Sequence, residues 1–298
     1  MSALQHIKSY WVLAIVMLSS SIALAHPTGN MIVVDNQVFW SYIHPIDDAQ
    51  HHACVMVWEN GSTPQVFLKS EYPASDFMLY AKGQDIYILE RRYLQASDTF
   101  EIRLLKTTKN QKPTVIWDWF EDQWHLGEAG FFMLSDTQMV FGKYPSVYTL
   151  QKGKQPSVYF EFETPINRIR ALPNNTLLLL GDTSCFLATQ TGNIFQEWNN
   201  ITEPKITNAP FNRNKVFDVD FQEGQLLMAY WGRRSFEMID AQGNKQILYK
   251  HNPPLTPHWV AFMGKDQLLF ASELTFNGST PKPNLIKLSS TGRSTKIW

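Results

Sequence analysis

Six times along the chain, a short apolar run leads through a tight polar turn into a second apolar run and then a hairpin. The second runs are Val38-Phe39-Trp40, Ile86-Tyr87-Ile88-Leu89, Met139-Val140-Phe141, Leu177-Leu178-Leu179-Leu180, Leu226-Leu227-Met228 and Leu268-Leu269-Phe270. A polar residue precedes each: Gln37, Asp85, Gln138, Thr176, Gln225 and Gln267, at spacings of 48, 53, 38, 49 and 42 residues. An average spacing in the forties that holds four strand-sized pieces is the mark of propeller blades. The prediction is an all-β, six-bladed β-propeller with four antiparallel strands, A to D, in each blade. A β-sandwich would not repeat one four-strand phrase six times, and helical periodicity is absent after the first segment.

The expected B strands start at those polar residues. The hairpins between strands C and D carry Gly and Asn, as in Asn60-Gly61, Gly153, Gly192-Asn193, Gly243-Asn244 and Gly292. Both residues tolerate the positive φ of tight turns. The pattern begins on an A strand and ends on a D strand, so the ring is expected to close by packing blade 6 on blade 1, without a shared strand.

The blade phrase resembles the six-bladed propellers of the NHL and TolB-like kind. Its clearest instance is Phe217-Asp218-Val219, then Gln225-Leu226-Leu227, then Met238-Ile239-Asp240-Ala241-Gln242-Gly243-Asn244, echoed by Thr189-Gln190-Thr191-Gly192 and Ser289-Ser290-Thr291-Gly292. Those propellers include scaffolds, ligand binders and metal-dependent hydrolases, so the resemblance implies an architecture and leaves the activity open.

Residues 1–25 read as a secretory signal peptide. Lys8 gives a basic start, Tyr10 to Leu18 is apolar, and Ala23-Leu24-Ala25 is a small-x-small cleavage site. The apolar stretch is about half the roughly 20 residues of a spanning helix. Export to the periplasm or the exterior is expected, with residues 26–298 as one domain. The chain has a net charge of −1 and 18% charged residues, with no basic stripe, so nucleic acid is not expected as a partner. Cys54 and Cys185 fall in blades 1 and 4. These blades face each other across a six-blade ring, beyond the roughly 7 Å reach of a disulfide. Two buried, unpaired thiols are expected.

In such a ring the B–C loops and the D-to-A linkers share one face, and the A–B and C–D turns share the other. The strand map puts His26, His44, His51, His52, His125, His251 and His258 on the B–C side, with Arg91, Arg92, Trp124, Tyr144, Trp231, Arg233 and Arg234. Loops on one face of a rigid scaffold are the usual home of function. Arg91, Arg92, Trp124, His125, Tyr144, Trp231, Arg233 and Arg234 are therefore the candidate binding face, for a protein or glycan partner. The seam of blades 1 and 6 gathers His26, His44, Asp47, Asp48, His51, His52, His258 and Glu273, whose imidazoles and carboxylates suit a divalent metal, with only one of the adjacent His51 and His52 able to join it.

A-strand mouths carry Asn30, Asp76, Glu128, Asn167, Asp218 and His258, one polar residue per blade. That ring is similar to the one in metal-dependent lactonase-type propellers. The resemblance implies an alternative reading, a hydrolase with its ion held by Glu128, Asn167 and Asp218. No G-x-S-x-G, P-loop or dinucleotide motif is present. The expected function is an exported, non-catalytic binding propeller.

Overall fold

The computed structural model describes residues 29–43, 52–73, 75–123, 130–143, 146–162, 164, 166–202, 215–273 and 282–298. They form six four-stranded antiparallel sheets, each built from consecutive strands. Blade 1 comprises β1 (Met31–Val34), β2 (Gln37–Ile43), β3 (Ala53–Glu59) and β4 (Gln65–Lys69). Blade 2 comprises β5 (Ser75–Lys82), β6 (Asp85–Leu94), β7 (Thr99–Thr108) and β8 (Thr114–Glu121). Blade 3 comprises β9 (Phe131–Ser135), β10 (Gln138–Lys143), β11 (Ser146–Gln151) and β12 (Ser157–Glu161). Blade 4 comprises β13 (Arg168–Leu172), β14 (Thr176–Leu180), β15 (Cys185–Thr189) and β16 (Ile194–Trp198). Blade 5 comprises β17 (Val216–Gln222), β18 (Gln225–Tyr230), β19 (Ser235–Ile239) and β20 (Lys245–Lys250). Blade 6 comprises β21 (Leu255–Met263), β22 (Asp266–Glu273), β23 (Pro283–Leu288) and β24 (Ser294–Lys296). The predicted six-bladed propeller is the observed fold.

The core is divided among the seams. Each neighbouring pair of blades shares one buried apolar cluster, and the B-strand runs supply both clusters that flank a blade. In blade 1, Val38 and Trp40 face blade 6 while Phe39 faces blade 2. Side chains alternate along a strand, so a continuous apolar run is what a sheet packed on both faces requires. Sheet-on-sheet packing, with no strand in common, joins blade 6 to blade 1. Trp298 closes that seam edge-on against Trp40 at 5.9 Å and Tyr42 at 5.2 Å between ring centroids.

Cys54 and Cys185 are both buried and free. Burial pushes the Cys54 thiol up to about 12 and raises that of Cys185 as well. Blade 2 has a long inner hairpin. Its B strand runs to Leu94, with Arg92 facing Glu101 and Tyr93 facing Phe100 across the ladder.

Bulges recur at one place. In blades 1 to 5 the outer strand slips register against its neighbour, leaving Phe67, Ile116, Tyr159, Phe195 and Leu248 as extra residues. Each follows a β-branched residue, respectively Val66, Val115, Val158, Ile194 and Ile247, and all five of these are exposed. An edge strand invites unwanted pairing, and a bulge kinks it out of register with any such visitor.

Candidate functional site

The innermost strands are β1, β5, β9, β13, β17 and β21, and their first residues lie on the B–C side. The channel they enclose is bridged by charge. Arg168 of blade 4 donates from Nη1 to Asp218 Oδ1 at 2.8 Å and from Nη2 to the Gly29 carbonyl of blade 1 at 2.6 Å. Blades 4 and 1 are opposite members of the ring, so this guanidinium spans the axis. Two residues along β13, on the same side of the strand, Arg170 meets Asp218 at 3.0 Å and Asp220 at 3.1 Å. It also donates to the Met31 carbonyl at 3.1 Å. The backbone N–H groups of Val260 and Phe262 close the network onto Asp218 Oδ2 and Asp220 Oδ2, at 3.1 and 2.8 Å.

Two positive and two negative groups cancel here, which is the condition for keeping charge away from water. Burial pulls the Arg168 pKa down. At Arg170 burial acts the same way, but Asp218 and Asp220 outweigh it and hold the pKa up. Elsewhere the inner strands are joined more simply. Asn30 pairs its amide with the backbone of Leu79, donating at 2.7 Å and accepting at 2.8 Å. Gly130 adopts φ +82°, and a Cβ there would stand 2.3 Å from the Ile169 carbonyl oxygen, so only glycine fits between β9 and β13.

At the B–C end of blades 5 and 6, two more bulges leave Phe217 and His258 as the extra residues of β17 and β21. Bulges re-aim side chains next to sites. These two rings stack at 5.6 Å with planes 10° apart. Trp231 meets Phe217 edge-on at 5.2 Å, and the Lys215 ammonium lies 5.7 Å from the same ring. His258 Nδ1 is 2.8 Å from the Thr256 carbonyl. Arg233 lies over Tyr230 and reaches Glu237 at 3.4 Å. Arg234 takes φ +57° in the tight turn after Trp231 and donates to the Leu255 carbonyl at 3.2 Å.

The elongated hairpin of blade 2 forms a second cluster at the same end. Arg92 lies 4.3 Å from the Tyr72 ring centre and 3.9 Å from that of Trp119, and holds Glu101 at 2.6 Å. Arg91 is buried over Phe100 at 3.6 Å, with Nε 3.5 Å from Asp122. Arg103 pairs with the buried Glu90 at 2.6 Å.

The expected site residues thus separate. Trp231, Arg233, Arg234 and His258 come together at blades 5 and 6, with Arg91 and Arg92 in the blade 2 cluster. Trp231 and Arg91 are buried and support their clusters from beneath. Trp124, His125, Tyr144, His44, His51 and Glu128 lie outside the described residues. The expected ligands Asn167 and Asp218 do not converge. The Asn167 amide donates to Asp182 at 2.5 Å, whereas Asp218 is held by the arginines. Among the described residues, no three His, Cys, Asp or Glu side chains are grouped to hold a metal. Three described histidines, His52, His251 and His258, lie on the B–C side, and His251 is buried between Phe236 and Tyr249. The sequence reading missed the arginines. Their signal was two charges spaced i, i+2 in a first strand, Arg168 with Arg170, matched by Asp218 with Asp220 in the next blade.

No protein-family model matches the chain, and no curated protein matches it. Solved structures do. A Bacteroides thetaiotaomicron protein of unknown function aligns at TM-score 0.52 and 9% identity, over 88% of this chain and 70% of the other. A nidogen–laminin complex gives TM-score 0.51 and 12% identity, over 90% and 91%. A virginiamycin B lyase from Staphylococcus aureus gives 0.50 and 10%, over 88% and 96%. At such identities the likeness is one of fold.

Proposed function

We propose that this chain is an exported, non-catalytic binding propeller that captures a protein partner through its B–C face. One observation carries the reading: at one end of the inner strands a bulge sets the half-buried Phe217 on the buried rings of His258 and Trp231, with Lys215 and Arg233 around it. Arginine and large aromatic rings on a rigid base are what binding hot spots are made of. The bridged channel beneath gives this cluster a fixed floor. The propeller in the nidogen–laminin complex shows that a ring of this architecture can serve as a protein-binding platform.

The test is cross-linking and co-purification from the exported fraction of the host, comparing wild type with the Lys215→Glu/Arg233→Glu variant. The double variant should lose the partner; because Arg233 pairs with the buried Glu237, Lys215→Glu alone, whose melting temperature should stay within about 2 °C, separates weakened capture from loss of fold. A partner retained in full by the variant overturns the B–C assignment.

A further inference from the structure

The opposite face carries a groove of about 590 Å³ between blades 5 and 6, within the range of small-molecule sites. Its rim is formed by the A–B turns of both blades and by the C–D turn of blade 6. The comparable seam between blades 3 and 4 is filled. There Phe160, the residue after the bulge in β12, lies against Gly192 so closely that a Cβ would meet the ring at 2.9 Å. The matching residues at the 5–6 seam are Tyr249 and Gly292. Tyr249 packs on His251 instead, 4.9 Å away, and a Cβ on Gly292 would meet nothing within 4 Å. The 5–6 seam thus lacks the ring that covers the turn glycine at the 3–4 seam.

Its chemistry is neutral and amide-rich. Gln222, Gln225, Gln246 and Gln267 all border it, above an apolar base that includes Phe262 and Leu248. The side-chain amides of Gln225 and Gln246 have no hydrogen-bond partner among the described residues, so both ends of each remain open to a ligand. Glu223 and Lys265 offset one another, which disfavours an ionic ligand. A ligand that fits would offer many hydroxyls, each able to donate and accept, together with patches of C–H surface.

We propose that this groove binds a short neutral oligosaccharide, on the face opposite the protein-binding cluster. Calorimetric titration of the full chain with chito-, malto- and cello-tetraose tests it. At least one sugar should bind. The Gln225→Ala/Gln246→Ala variant should weaken it at least about tenfold at unchanged melting temperature. Gln246→Trp, at an exposed position that can fill the groove, should abolish it. Lys215→Glu, on the other face, should bind the sugar normally. The proposal is overturned if none of the three saturates the wild type, or if binding survives both groove variants.

Discussion

The axis and the rim of this ring distribute polarity in opposite ways. At the axis, Arg168, Arg170, Asp218 and Asp220 keep four charges out of solvent. At the rim, Val115, Val158, Ile194, Phe195 and Ile247 expose large apolar side chains. Six strands converge around the axis, so polar groups there can always find backbone and counter-charge. Each rim strand has one neighbour only, and its free edge must be protected by shape, through the recurring bulge. At these two radial positions, place in the ring overrides hydropathy.

Removing one partner from the axis should have the largest effect. Asp218→Ala leaves the buried Arg168 without a carboxylate and Arg170 with Asp220 alone. It should cost about 3–5 kcal/mol in urea denaturation. Loss of under about 1 kcal/mol would show that water replaces the carboxylate freely, and the axis would then not be a lock. Next comes the closing seam, where Trp298→Ala removes the ring that joins Trp40 and Tyr42. Trp298 is half-buried, so about 2 kcal/mol is expected, below the range for a fully enclosed tryptophan.

A smaller effect is expected from His251, which sits between axis and rim. Burial holds its pKa down at about 4. The unfolded chain, with its histidine near 6.5, binds the proton first. Its contribution to stability is therefore complete above about pH 6.5 and is lost as pH falls toward 4. His251→Phe should flatten the fall in melting temperature across that interval, and an unchanged slope would place the pH sensitivity elsewhere. The smallest effect belongs to the rim. Phe195→Ser at the exposed bulge should shift stability by less than about 0.5 kcal/mol. A larger loss would mean that the bulge residue holds the edge strand in place.

The blades were legible in the sequence because the apolar B-strand runs and the Gly/Asn hairpins are local signals. Gln37, Thr176 and Gln225 each begin a strand as expected. The B–C grouping of His258, Trp231 and Arg233 could also be read, since it follows from strand order. What escaped was whatever depends on partners far away in the chain. Asp218 looked like a ligand because its neighbours Arg168 and Arg170 are about fifty residues distant and in another blade. The stacked pair Phe217 and His258 depends on two register slips that no periodicity announces. Tyr249 leaves the 5–6 seam open through a side-chain choice, which a pattern of polar and apolar letters does not encode.

Every blade is built from consecutive strands, and blade 6 meets blade 1 without a shared strand. The same holds at each of the six joints of the ring. A gene duplication that adds or removes a whole blade changes the circumference without threading any strand through a neighbour's sheet. New ends could likewise be opened at any linker between blades, provided the old ones are tethered, and the same wheel would reassemble from a different starting spoke.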